Sequence, residues 1–448
     1  MKAANPINKK LFDIYLLFTR EPFVRYFSKE LEFYTNGNGG LLGLITLDLT
    51  DNDYSVCILS RDKSKQYRAE LIEVSIPTIE KARKWIDDKM SSNSIVFHDN
   101  KHQYFDLFQD LNNEEKQHPI YKLLNSNISQ SMAKETIKEV SYHYKDIDGN
   151  FIDQFQSVNG FDSRVWELFL FCFFREQFFS FKRNFNAPDY MIEKFNQEIA
   201  VEAVIVSRKT ELDSGPKNDK EIQAKLENEV PLLFGNALFD KMKKKYWEKD
   251  HVKNKPFVIA IADFHDALSM TWTFNSLSNY LYGYKYDHSF DENGKLIVIP
   301  VKIDDYTKPN GTKIPSGFFF QPNSENVSAV IFSSCGTLSK FNRMGKQAEL
   351  GSNIPTLLRT ATFYNHEPNA NKPNVVTYQV DRNSEETWSE GVIVYHNPNA
   401  KIPLDPEFFD ERVAQCIFKD KLVHSVMPRL FSYNSFTENL IPKEDEEE

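Results

Sequence analysis

Residues 187–209 read APDYMIEKFNQEIAVEAVIVSRK, and they follow an apolar run, RVWELFLFCFF, at 164–174. The segments PDYMIEKF and EIAVEAVIV have the length and the β-branched, aromatic content of strands. Pro188-Asp189 opens the first, and Glu202 sits inside the second between Val201 and Ala203. Both carboxylates therefore stand among residues that seek burial. A buried carboxylate without a partner costs several kcal/mol, on the order of the penalty for unpaired buried charge. A metal ion is the usual remedy.

Working outward, FDSRVWELFLFCFFREQFF at 161–179 is apolar nearly all round, which predicts a buried helix, with Asp162 or Ser163 as its N-cap. FSFKRNF predicts a short strand, and a tight turn at Asn196-Gln197 joins the two strands that carry Asp189 and Glu202. Beyond a polar loop, a long helix is expected to end near KKKYWEKD. PFVIAIADF then has the continuous apolar content of a buried parallel strand. The predicted order is α-β-β-β-α-β.

The flanks read differently. Residues 1–155 form an α/β module, with a hairpin across Asp51-Asn52-Asp53 and an amphipathic helix that has Ile79, Ala82, Trp85, Ile86 and Met90 on one face behind an N-cap at Thr78. SMAKETIKEVSYHY is a further helix, and the DGN turn at 148–150 marks a boundary. From 271 to 448 the chain is β-rich, with KLIVIPVKI, SGFFFQ, VSAVIFSS, VVTYQV and GVIVYHN as strands after a helix in MTWTFNSLSNYLYGY. The expected fold class is α/β, α+β overall, in three regions: 1–155, 156–270 and 271–448.

Composition narrows the setting. A length of 448 residues allows two or three domains, and 37 phenylalanines supply enough core to exclude disorder for most of them. A net charge of −10 argues against a broad basic surface, though not against a local groove. Cys57, Cys172, Cys335 and Cys416 are scattered with no C-x-x-C pair, which fits neither a zinc knuckle nor a disulfide framework. No run of about 20 uncharged apolar residues occurs and no cleavage site follows the N-terminal lysines, so a soluble cytoplasmic protein with an acidic end, KEDEEE, is expected.

Pro188-Asp189, Glu202 on the following strand and the α-β-β-β-α-β order over residues 160–264 resemble the PD-(D/E)xK superfamily of restriction-endonuclease-like nucleases. The resemblance implies a restriction-endonuclease-like αβββαβ core in which Asp189 and Glu202 bind Mg²⁺ or Mn²⁺. Glu167 of the first helix matches a frequent extra ligand, and the Ala203 carbonyl completes the shell. It also implies nucleic acid, DNA first, as substrate and partner. A bacterial role in defence against foreign DNA, a homodimer and a defence-system partner protein are in keeping with it. The residue types suit the reaction: phosphodiester hydrolysis needs a hydroxide-like nucleophile and a stabilised leaving oxygen, and cations held by hard oxygen ligands supply both.

One position departs from the superfamily. Val204 stands where its lysine is expected, and Arg208, on the same face, lies roughly 13 Å further along the strand. In the neighbouring helix, Leu238, Met242 and Tyr246 form a buried stripe with Lys241 and Lys245 on its border. Lys241 is the first choice for the missing cation and Lys245 the second; either equally suits sequence-independent phosphate contact. The expected function is a metal-dependent nuclease using Glu167, Asp189, Glu202 and one of these lysines. The alternative, favoured by Val204, is an inactive nuclease-fold protein that binds nucleic acid or a protein partner.

Other groups are weaker. Asp263, His265 and Asp266 read as a polar strand end with a helix cap at Asp266, or as a metal cluster without recognised spacing. Lys340, Arg343 and Lys346 in SSCGTLSKFNRMGK suit a phosphate-contacting loop, although no G-x-x-x-x-G-K is present. Glu167 is also in reach of Arg164 or Arg183 as a plain salt bridge, and Cys335 has no histidine partner visible in sequence.

Overall fold

The computed structural model describes residues 4–36, 40–91, 106–111, 114–182, 184–207, 215–266 and 268–442; Arg183, Arg208 and the acidic end from 443 lie outside them. At the N-terminus, five consecutive strands from Asn5–Pro6 to Tyr67–Ile76 pair antiparallel, each with the next. Alternation puts Leu41, Ile45, Val56 and Ile58 on the face covered by the Ile79–Met90 helix, which adds Ala82, Ile86 and Met90. Thr78 caps that helix by accepting from the Lys81 N–H. Gly43 permits the close approach, because a Cβ there would meet Met90 Cε at 2.7 Å.

The centre is an eight-stranded mixed sheet whose strands lie side by side in chain order: Ser180–Phe181, Tyr190–Lys194, Gln197–Val206, Phe257–Asp263, Ala329–Ser333, Val392–His396, Ala414–Lys419 and Leu422–Val426. The Gln197–Val206, Phe257–Asp263 and Ala329–Ser333 strands run parallel, as the continuous apolar run of the middle one requires. This sheet takes strands from both sides of residue 270. Strand parity separates two cores. Val201, Ala203, Val258, Ala260 and Ile331 face the Phe161–Glu176 helix, while Ala200, Ile259, Ile261, Val330 and Phe332 face the Val230–Met242 and Phe274–Tyr282 helices.

The α-β-β-β-α-β order is present, with local differences. Gly160, not Asp162 or Ser163, is the N-cap of the Phe161–Glu176 helix, and no side chain caps it. Trp166 anchors that helix instead by donating Nε1–H to the Ala260 carbonyl at 3.1 Å. The hairpin turn is Phe195-Asn196, one residue earlier than expected. Both have positive φ (54° and 59°), which suits the right-handed twist of a two-residue turn. The expected long helix is two, Asp219–Asn228 and Val230–Met242, because Pro231 lacks an N–H and is at home only in a first turn. SGFFFQ is not a strand: Phe318–Phe320 is a 3₁₀ turn after Gly317, whose φ of 73° breaks extension.

The remaining β structure is a three-stranded antiparallel sheet, with Thr356–Phe363 between Asn374–Gln379 and Ser432–Leu440, and two hairpins. The fold is mixed α/β, α+β overall. Among the described residues no helix is long and apolar enough to cross a membrane.

Candidate functional site

Pro188, buried after a cis bond, places Asp189 directly ahead of the Tyr190–Lys194 strand. The ladder between this strand and the next begins at Tyr190 with Val201. Ala203 lies past that start, so its N–H on this side has no strand to bind and donates instead to Asp189 Oδ2 at 2.7 Å. The aspartate thus replaces a missing ladder bond and is fixed by it.

Glu202 is 3% exposed and shares its sheet face with the Val230–Met242 helix. Lys241, in the last turn of that helix, donates from Nζ to Glu202 Oε1 at 2.6 Å, and the Tyr246 hydroxyl also bonds the carboxylate. Burial, and then the charge of Asp189, push the Glu202 carboxyl up to about 7 against the pull of Lys241 and Tyr246. Burial and Glu202 in turn push the Tyr246 phenol upward, which keeps it protonated and able to donate.

Glu167, 6% exposed, approaches from the other side of the sheet. Arg164 Nη1 donates to both of its oxygens at 2.8 Å, and Tyr144 donates to Oε2 at 3.2 Å. Its carboxyl is also pushed up to about 7, first by burial and then by Asp189. Asp189 is therefore the electrostatic hub of the three carboxylates expected to act together. They do not close into one tight cage: among the described residues, three metal-ligating side chains come within 4.8 Å of one another only at Asp48, Asp51 and Asp53, in the N-terminal hairpin turn.

Of the two lysines, the fold brings Lys241 to the carboxylates. Lys245 is left-handed, with φ of 47°, and ends that last turn; its side chain is exposed and pairs with Glu248 at 3.3 Å. Val204 packs against the apolar cluster on the Lys241 side. Tyr246 and Tyr144 escaped sequence reasoning as polar contributors. Tyr246 was legible as a member of the buried stripe, but a buried phenol has to bond something, and that was the available signal.

The other sequence candidates resolve as follows. Lys340 and Arg343 do not form a phosphate-contacting loop: they lie on the Leu338–Gln347 helix, 0% and 1% exposed. Glu386 accepts from Arg343 Nε at 2.7 Å and Nη2 at 2.8 Å and pairs with Lys340 at 2.8 Å, while Arg359 links it to Glu390. Lys346 donates to the Asn353 and Pro355 carbonyls. Asp263 and His265 pair through Oδ1 and Nδ1 at 2.6 Å, while Asp266 pairs with Lys225 at 3.0 Å. Cys335 is buried against the Ser432 hydroxyl, and burial pushes its thiol up, away from nucleophilic use.

Comparison of the chain with protein-family models, curated proteins and solved structures finds no match.

Proposed function

We propose that the chain is a divalent-metal-dependent nuclease, hydrolysing phosphodiester bonds at Asp189 and Glu202. The observation that carries the reading is the excess of buried carboxylate around Asp189. Glu167 and Glu202 both titrate near 7 because burial and a shared neighbour disfavour their charged forms. A cation is the partner such a cluster lacks. Asp189 and Glu202 would hold it, with the Ala203 carbonyl, which points to the same side of the strand as the N–H that binds Asp189. Glu167 lies outside a single-ion cage and would serve a second ion or act through charge.

Bound Mg²⁺ or Mn²⁺ would supply hydroxide near neutral pH and neutralise the leaving oxygen. The chain's own part is separate. Lys241 holds Glu202 and supplies an ammonium that the Val204 side chain cannot, and Tyr246 also bonds that carboxylate. Arg164 balances Glu167, so the site carries charge for a cation without three uncompensated anions. DNA is the first substrate to test, and defence against foreign DNA is the role the superfamily resemblance favours.

The test is cleavage of plasmid and single-stranded DNA with Mg²⁺ or Mn²⁺ by wild type, Asp189→Asn and Glu202→Gln. Cutting by the wild type alone is expected; equal cutting by all three removes the assignment. Val204, and the hold of Arg164 and Tyr144 on Glu167, favour one other reading, a nucleic-acid or protein binder on the same fold without catalysis. Calorimetric titration with Mn²⁺ separates the two, since a binder without catalysis has no need of the ion.

A further inference from the structure

The loop after the Lys241 helix touches Glu202 and the segment that leads into Asp189. Tyr246 reaches Glu202, while His251 Nε2 lies 2.9 Å from the Ala187 carbonyl, two residues before Asp189. His251 also carries the Phe185 ring face to face, with centroids 3.8 Å apart and planes 2° apart. Phe185 is 40% exposed although one face rests on the imidazole, so ring surface remains open to solvent. A lone exposed phenylalanine is ordinary. This one is rigidly backed, and it stands beside the densest positive charge in the chain.

Residues 241–255 hold seven lysines against Glu248 and Asp250, in a chain whose net charge is −10. Lys243, Lys245 and Lys253 make exposed pairs with acids three residues away, which bind weakly and yield readily to a polyanion. Lys244 and Lys249 are exposed and make no ion pair among the described residues. Lys249 Nζ lies 5.9 Å from the Tyr246 ring centroid, next to the phenol that bonds Glu202. An open aromatic face and free ammonium groups thus border one carboxylate cluster.

We infer that this loop is a subsite for single-stranded nucleic acid: an unpaired base stacks on the open face of Phe185, and Lys244 and Lys249 hold the flanking phosphates. The inference rests on the nuclease reading for what happens at the carboxylates, but the binding itself requires no metal. A base inside a duplex is already stacked on both sides and has no face to give. Aromatic stacking with a basic track selects unpaired strands and tolerates any base, because every base has a π-face.

The experiment is fluorescence anisotropy with the full chain in EDTA, using oligothymidylate, oligouridylate and a duplex of equal length. Wild type is expected to bind one or both single strands about tenfold more tightly than duplex, and the tighter of the two says whether the DNA or the RNA strand is preferred. Phe185→Ala is expected to weaken single-strand binding about tenfold and leave duplex unchanged, with Phe185→Trp restoring it. Joint replacement of Lys244 and Lys249 by alanine lowers the salt slope for single strands by about 1.4. Equal loss for single strands and duplex in Phe185→Ala, no loss at all, or no single-strand binding by wild type overturns the inference. Phe185-dependent binding in a wild type that cuts nothing overturns the nuclease reading and leaves this one standing.

Discussion

Two buried charge clusters sit on this fold, and their balances are opposite. Around Asp189, three carboxylates face two cations, Arg164 and Lys241. Beneath the Leu338–Gln347 helix, three cations, Lys340, Arg343 and Arg359, face two carboxylates, Glu386 and Glu390. Burial raises the carboxyls of Glu167, Glu202 and Glu386 alike. At Glu386, Arg343, Arg359 and Lys340 more than offset burial and hold the group well below the usual carboxylate range. At Glu167 and Glu202 the cations do not suffice, and both groups rise to about 7. The Glu386 cluster meets its carboxylates with cations of the chain; the Asp189 cluster leaves negative charge for something else to meet.

The comparison can be broken first by mutation. Glu386→Ala strands the buried Arg343 guanidinium and Lys340 ammonium and leaves Arg359 with Glu390 alone, and is expected to cost about 3–5 kcal/mol in urea denaturation. Glu202→Gln at pH 8 in EDTA should move stability the other way, by about 2 kcal/mol, since it removes a charge the site disfavours. If both variants lose stability alike, the two clusters are of one kind.

Titration gives the next largest effect. Glu167 and Glu202 have folded values above their ordinary 4.5, so the folded state keeps protons that the unfolded chain releases. Their stabilisation is fully present below about 4.5 and is lost as pH rises to about 7 and beyond. The metal-free protein is therefore expected to lose about 5 kcal/mol between pH 5 and pH 8, about half from each group, and Glu202→Gln to flatten that slope. Divalent metal should reverse the loss. At a hundredfold excess over its dissociation constant, Mn²⁺ adds about 2.7 kcal/mol at pH 8, far less at pH 5, and nothing in Asp189→Asn. The smallest change concerns Lys241. Lys241→Met should raise the Glu202 midpoint further and lower cleavage about a hundredfold, read from the pH–rate profile; an unchanged midpoint would detach the lysine from the site.

The asymmetry between the clusters also explains what could be read in advance. The carboxylate site lies close together in sequence: Asp189 just ahead of one strand, Glu202 on the next, Lys241 on the border of an apolar stripe. Period-2 and period-3.6 patterns place such residues on faces, and that was enough to prefer Lys241 to Lys245. The second cluster depends on contacts across some 40 residues, Arg343 with Glu386. Helical spacing of Lys340 and Arg343 told only that they share a face, so the pair read as a basic loop instead of an ion-pair core. The same limit applies to the sheet. After residue 325, VSAVIFSS, VVTYQV and GVIVYHN were legible as strands by their apolar runs, whereas the more polar Thr356–Phe363, Ala414–Lys419, Leu422–Val426 and Ser432–Leu440 were not, and no local pattern says that Ala329–Ser333 pairs beside Phe257–Asp263.

That pairing has a practical consequence. In the whole chain the Phe257–Asp263 strand, FVIAIAD, is buried along its entire length between two parallel neighbours. A fragment cut at 156–270, the natural choice for isolating the carboxylate cluster, would turn this strand into a bare edge with its backbone groups and apolar side chains uncovered. Uncharged but for its last residue, free of proline and β-prone, it is the kind of segment that recruits copies of itself. The fragment is expected to accumulate as aggregates, whereas one extended through Leu422–Val426 keeps the edge covered and the sheet soluble.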